Sequence, residues 1–141
     1  MDKIEKAFNI AKNGDVSTPP NSVVLYSISY LPTKQNKLEA LQFIEENPQY
    51  FMLDKTECGK KLIELGLEGG CGEIDETIKT IWAIASRRFI FSASGNIRAF
   101  VKNADCRSTF VSTELPTILE NEKITLINGI DKEIFAKQFG L

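Results

Sequence analysis

The sequence contains no histidine, and this absence restricts its chemistry more than any other feature of its composition. Ser-His-Asp and Cys-His catalysis are excluded, and so is the ribonuclease mechanism that uses a pair of histidines. Any proton transfer must therefore use Glu, Asp, Lys, Tyr or Cys, or the reaction must depend on cationic side chains that stabilise its transition state.

Cysteine is scarce as well: the chain has only Cys58, Cys71 and Cys106. Three cysteines cannot all pair within one chain, and none of them forms a CxxC pair. A zinc ion would have only cysteines and carboxylates as ligands, so we expect no metal site and no cofactor. We interpret the cysteines as small apolar residues in a reducing compartment.

Long hydrophobic runs are also missing. No apolar stretch approaches the roughly 20 residues of a membrane helix, so we expect no membrane-spanning segment. The first residues, MDKIEKAFNIAKNGD, are too polar for a secretory signal. The net charge of −2 argues against a general nucleic-acid coat, although it allows a local basic site.

The order of the periodic segments predicts one α+β domain over residues 1–141, in which N-terminal helices precede a small, mostly antiparallel β-sheet. Residues 1–95 are predicted to be mainly helical, residues 96–130 to form antiparallel strands, and residues 131–141 to form a C-terminal helix. Residues 23–30 fit either a strand or a short helix. The segments NIRAFVK and RSTFVST are expected to pair as a β-hairpin.

The clearest helix is EIDETIKTIWAIASRRFIFSA, because its apolar residues recur at helical spacing. The predicted core stripe consists of Ile74, Ile78, Ile81, Trp82, Ala85 and Phe89. In this interpretation the tryptophan is a core residue.

All four arginines of this acidic chain lie within residues 86–116, a segment rich in serine and threonine. They are Arg87, Arg88, Arg98 and Arg107. The helix end and the hairpin are neighbours in sequence, so their basic side chains are expected to meet. A planar guanidinium matches the oxygens of phosphate, which predicts a site for phosphate or pyrophosphate.

We assign Glu114 as the candidate general base, with Arg88 and Arg98 as the other catalytic candidates. The substrate-binding candidates are Arg87, Lys102, Arg107, Ser86, Ser94, Ser108 and Thr113. Arginines are also ordinary helix caps and ordinary residues of a solvated sheet face, so a structural role stays open for each of them.

A longer pattern runs from Trp82 through ASRRF, ASGNIRAFV and ELPTIL to ITLING. In order and spacing it resembles the C-terminal toxin modules of bacterial polymorphic toxins, of the filamentous-haemagglutinin and contact-dependent growth inhibition type. The resemblance covers about residues 38 to 130. Its matching polar positions are Ser86, Arg88, Ser94, Ser108 and Glu114.

The resemblance implies a domain that is delivered as the C-terminal part of a larger secreted or surface toxin and acts in the bacterial cytoplasm. It also implies a cognate immunity protein as partner, RNA (often tRNA) as substrate, and a barnase/colicin/RelE-like arrangement. The chain departs from the pattern in charge, because toxic nucleases are commonly basic.

Three functions are compatible with these observations. The first is a histidine-free toxin ribonuclease that binds phosphate through its arginine cluster. The second is an NAD-consuming toxin, either a hydrolase or an ADP-ribosyltransferase, in which a glutamate acts on the ribose. The third is a non-enzymatic immunity or binding protein.

Overall fold

The computed structural model describes residues 2–26, 35–67, 76–102 and 110–140. Within these ranges the chain forms six α-helices and four short strands, so the predicted α+β class is confirmed. The helices are α1 Lys3–Asn13, α2 Gln35–Glu46, α3 Glu57–Glu64, α4 Glu76–Phe91, α5 Leu115–Glu120 and α6 Lys132–Lys137. The strands are β1 Val24–Tyr26, β2 Gly95–Phe100, β3 Ile124–Ile127 and β4 Ile130–Asp131. A 3₁₀ turn covers Leu53–Lys55, and a π-helical turn covers Phe110–Glu114.

The four strands form one sheet in the order β1-β2-β3-β4. β2 runs parallel to both β1 and β3, and only β3 and β4 are antiparallel. The predicted, mostly antiparallel sheet is therefore wrong. The physical reason is the connection between β2 and β3, which passes through a helical segment instead of a tight turn, as parallel neighbours require. The antiparallel pair is closed by Asn128 and Gly129, both at positive φ.

The predicted hairpin is only half present. Its first strand, β2, is confirmed, but residues 110–114 form the π turn, and residues 107–109 lie outside the described ranges. The sequence FVSTE has the β-branched composition typical of a strand. Burial decides otherwise, because Phe110 and Leu115 are both fully buried and lie five residues apart, which is the spacing of a π turn.

Helix α4 lies at the centre of the larger hydrophobic core, and its predicted stripe is confirmed for Ile81, Ala85 and Phe89, which are fully buried. Helices α1 and α4 pack against each other, with Ala7 and Ala11 of α1 completely enclosed. A smaller core between α2 and β1 includes Val24, Ala40, Ile44 and Met52. Helix α4 is thereby fixed along most of its length, so that the polar side chains on it have defined positions.

Among the helices in the described ranges, none has the combined length and apolar character that crossing a membrane requires.

Candidate active site

A buried serine on α4 and a half-buried glutamate on the π turn form a hydrogen-bonded pair. The Ser86 hydroxyl donates to Oε2 of Glu114 over 2.7 Å. Ser86 is 6% exposed, and the π turn packs against its helix. Glu114 ends the π turn and directly precedes α5, whose second residue is Pro116. Two independently anchored helical segments thus hold the two side chains together.

The surroundings of Glu114 change its protonation. Burial raises the pKa of this carboxyl group from 4.5 to about 7, and the hydrogen bond from Ser86 opposes this rise without cancelling it. Both the protonated and the ionised forms are therefore populated near neutral pH. A carboxyl group in this state can act as an acid, a base or a nucleophile, and such perturbed groups concentrate at functional sites.

The π turn itself is well supported. The Thr117 hydroxyl donates to the carbonyl oxygen of Thr113 over 2.7 Å, which joins the turn to the first residues of α5. The Phe110 ring packs against Phe135 and Phe139 of the C-terminal segment, with centroids 6.4 and 6.0 Å apart. π turns are rare and often occur at functional sites, where the extra residue redirects a side chain. Here that side chain is Glu114.

Trp82 lies one helical turn before Ser86 on α4. It precedes Ser86 by four residues, so the two side chains lie on the same face of α4. Its ring packs on the core but is only half-buried, and its Nε1 donates to the Leu67 carbonyl oxygen over 2.6 Å. The prediction that Trp82 is a core residue is confirmed for its packing on the core, although its ring is not fully buried. Its place beside Ser86 follows from the four-residue spacing of the two residues.

The arginines are placed differently from the predicted cradle. The Arg88 guanidinium donates to the carbonyl oxygens of Ala11 and Gly14, over 2.8 and 2.9 Å. These carbonyls belong to the C-terminal end of α1, which lacks intrahelical donors and attracts cations. The Arg98 guanidinium instead lies 5.5 and 5.1 Å from the ring centroids of Phe43 and Phe100. The two guanidinium groups therefore serve different parts of the fold.

The remaining candidates are dispersed. Arg87 and Lys102 are exposed, and Thr113 is half-buried in the π turn. Ser94 is half-buried, and its carbonyl oxygen accepts from the backbone N–H of Asn21 over 2.9 Å. Arg107 and Ser108 lie outside the described ranges. The substrate-binding roles of these residues stay predictions.

The fold is similar to those of ADP-ribosyl cyclases and CD38. Porcine CD38 with a covalent intermediate, ribo-F-ribose-5'-phosphate, matches 89% of this chain with a TM-score of 0.62 and 22% identity. ADP-ribosyl cyclase complexed with N1-cIDPR matches 88% of it, with a TM-score of 0.59 and 19% identity. Aplysia cyclase complexed with the substrate NGD and the product cGDPR matches 77%, with a TM-score of 0.55 and 20% identity.

At these identities the likeness is one of fold. The chain spans 67%, 61% and 48% of the lengths of these three proteins, respectively. No protein-family model matches the chain, and no curated protein sequence does.

The comparisons correct the leading functional prediction. The similar structures are ADP-ribosyl cyclases and CD38, so the prediction of a ribonuclease acting on tRNA or other RNA is wrong. The contacts agree with this correction, because the candidate site pairs a half-buried carboxyl with a hydroxyl group, whereas Arg88 and Arg98 contact other parts of the fold. Nothing in the comparisons shows a likeness to polymorphic toxin modules or supports an immunity protein or RNA as partner. The fold of the similar structures replaces the barnase/colicin/RelE-like arrangement that the toxin resemblance implied.

Proposed function

We propose that this chain cleaves the bond between nicotinamide and ribose in NAD or a related dinucleotide, as a glycohydrolase or a cyclase. The observation that carries the proposal is the Ser86–Glu114 hydrogen bond, in a fold like that of ADP-ribosyl cyclases. One similar protein binds the substrate NGD and the product cGDPR, and another holds a covalent ribose-phosphate intermediate. This was the second of the functions that the sequence allowed, and it is the one that these findings favour.

The reaction suits a site without histidine. In NAD the nicotinamide is a cationic pyridinium, so it leaves as a neutral molecule that keeps the electron pair of the broken C–N bond. No general acid has to protonate it. Positive charge develops on the ribose as the bond breaks, and a carboxylate placed beside the ribose stabilises that charge. The ionised carboxylate of Glu114 can supply the negative charge that stabilises this transition state.

Glu114 then completes the reaction as a nucleophile. Because Ser86 holds Oε2, we expect Oε1 to bond to the ribose C1′ while the bond from C1′ to nicotinamide breaks. Attack of water on C1′ breaks the resulting ester, releases ADP-ribose and a proton, and restores the carboxylate. In cyclisation a purine ring nitrogen of the same molecule takes the place of water. It attacks C1′ through its lone pair, which breaks the ester, restores the carboxylate and leaves the positive charge on the purine.

Trp82 fits the leaving group in this scheme. Its half-buried ring lies one helical turn from Ser86, and its indole N–H is held by Leu67. A pyridinium is attracted to the face of an indole ring by cation–π interaction. The same positive charge favours ionisation of Glu114, so substrate binding is expected to lower the raised pKa of this carboxyl group.

The test is incubation of the purified chain with NAD and, separately, with NGD. Nicotinamide release and the linear or cyclic product are measured by chromatography. We expect turnover, and we expect Glu114→Gln to lower it by roughly 10³-fold or more, since the nucleophile is lost. The matched control is Glu120→Gln, which changes an exposed glutamate of α5. Intact NAD and NGD in the presence of folded protein would refute the proposal.

The toxin setting is a prediction of the sequence alone, and expression in a bacterium tests it. An NAD-consuming domain that acts in the bacterial cytoplasm is expected to stop growth while cellular NAD falls and RNA stays intact. The Glu114→Gln variant is expected to restore both growth and NAD. Normal growth at unchanged NAD would favour the non-enzymatic binding protein.

A further inference from the structure

A cleft of about 430 Å³ opens at the C-terminal end of β2, between the first turn of α2 and the C-terminal segment. The polar residues of its walls are Asn36, Glu39, Lys102, Asn128 and Gln138, and Phe139 is one of the apolar residues. The volume falls within the range of small-molecule sites. The cleft also lies outside the carboxyl end of a strand with parallel neighbours on both sides, which is where open parallel sheets bind their ligands.

Two asparagine side chains make the floor of the cleft rigid. The Asn128 amide accepts from the N–H of Ala99 over 2.8 Å and donates to its carbonyl oxygen over 3.0 Å. The Asn36 amide does the same for Lys102, over 3.1 and 2.8 Å. Each amide pairs with the backbone of one residue at or just beyond the end of β2, much as a neighbouring strand would. The last residues of β2 and the backbone of Lys102, which follows it, are therefore fixed before any ligand arrives.

Aromatic packing joins the cleft wall to the start of the π turn. Phe139, a half-buried residue of the cleft wall, packs on Phe110 with ring centroids 6.0 Å apart. Phe110 begins the π turn that ends at Glu114. The same short turn therefore connects the cleft wall to the carboxyl group.

We propose that this cleft binds the purine-nucleotide end of the dinucleotide, while Glu114 acts on its nicotinamide end. The proposal rests on the proposed function and names the subsite that holds the rest of the substrate. Lys102, which is exposed at the cleft mouth, binds the phosphate. The Gln138 amide offers a donor and an acceptor to the edge of the purine, and the Phe139 ring supplies an apolar wall.

Direct binding of ADP is the first test, because it needs no catalysis. Calorimetry is carried out on the wild type and on the double variant Lys102→Ala, Gln138→Ala. Both residues are exposed, so the variant is expected to keep its fold, which thermal melting checks. We expect ADP to bind to the wild type and about tenfold more weakly to the variant, as for the loss of a charge-assisted hydrogen bond. The control is Lys137→Ala, an exposed lysine of α6 that does not line the cleft.

Steady-state kinetics with NAD is the second test. The same double variant is expected to raise KM about tenfold while kcat stays unchanged, because the lost contacts hold the substrate far from the reacting atoms. Absence of ADP binding, or equal affinity in the variant and the wild type, would overturn the cleft proposal. If ADP binds as expected but NAD is not cleaved, the cleft is a purine-nucleotide site and only the proposed function fails.

Discussion

Ser86 and Arg88 lie two residues apart on α4, yet their side chains bind different kinds of group, a carboxyl group and backbone carbonyls, respectively. Ser86 donates to the carboxyl group of Glu114, which burial has made hard to ionise. Arg88 donates to two backbone carbonyls at the end of α1, which need donors and favour a cation. The serine thus contacts a group whose environment is unfavourable for its charge, while the arginine contacts groups that its charge stabilises.

This difference in partners distinguishes the Ser86–Glu114 pair, a candidate site, from the Arg88 contacts, which are structural. A neutral hydroxyl beside a partly desolvated carboxyl cannot compensate fully for the lost solvation of the charge, so this arrangement reduces stability at neutral pH. Such an arrangement is typical of functional sites, where a group is held ready to react. The arginine stabilises both helices that it connects, so its interactions already account for its position.

Among the substitutions that test this comparison, Arg88→Ala is expected to have the largest effect on stability. The change removes two charge-assisted hydrogen bonds between α4 and the end of α1, and it leaves the carbonyls of Ala11 and Gly14 without these donors. We expect the free energy of unfolding to fall by about 3 kcal/mol. Urea denaturation followed by circular dichroism measures it.

Arg87→Ala is the matched control, because Arg87 is the exposed neighbour of Arg88 on the same helix. Its effect is expected to stay within about 0.5 kcal/mol. In Arg88→Ala, kcat for NAD per folded molecule should equal that of the wild type. A large drop in kcat at full folding would instead give Arg88 the catalytic role that the sequence suggested.

The helices of this fold were largely predictable from the sequence, because burial of one face produces a periodic pattern. The stripe through Ile81, Ala85 and Phe89 is an example. The pairing of the strands was not predictable in the same way. The segment NIRAFVK is predicted to be a strand beside either parallel or antiparallel neighbours, because its residue pattern is the same in both cases. Its direction relative to β1 depends on contacts between residues that are far apart in sequence.

The candidate site was predicted in part. Glu114 and Ser86 were both named, but the sequence could not show that they touch, because the contact spans 28 positions and depends on the π turn. The arginines were expected to meet because they are close in sequence, but neighbours in sequence on a helix point in different directions. Arg88 faces α1, whereas Arg87 is exposed to solvent. A high density of charged residues in a sequence segment therefore does not predict which of their side chains lie close together in the fold.

The second effect concerns the pH dependence of stability. The folded state holds the pKa of Glu114 at about 7, above the usual 4.5, so between these values the folded state binds more protons than the unfolded state. The contribution of Glu114 to stability is therefore greatest below pH 4.5 and is lost as the pH rises through this window. We expect a loss of about 2 kcal/mol between pH 5 and pH 8 from this group.

Glu114→Gln isolates that contribution, since glutamine does not ionise and still offers an oxygen to Ser86. The variant should be more stable than the wild type at pH 8 and similar to it at pH 5, as measured by urea denaturation at both values. Glu120→Gln, an exposed change, should leave the wild-type difference intact. An identical pH dependence in the wild type and Glu114→Gln would show that the pKa of this carboxyl group is not raised.

The smallest effect is expected from Ser86→Ala, and it tests what the hydroxyl contributes to the pair. The hydrogen bond from Ser86 lowers the pKa of Glu114, so its loss should raise that pKa further and leave less of the nucleophilic carboxylate at pH 7. We expect kcat/KM for NAD to fall about tenfold at pH 7, and its rise with pH to shift toward alkaline values. Ser92→Ala is the control, because Ser92 directly follows the last residue of α4 and donates to the Val16 and Phe89 carbonyls instead of to Glu114. A tenfold loss without a shift of the pH profile would mean that Ser86 orients Glu114 without tuning its ionisation. A matching loss in the Ser92 variant would trace both effects to α4 itself.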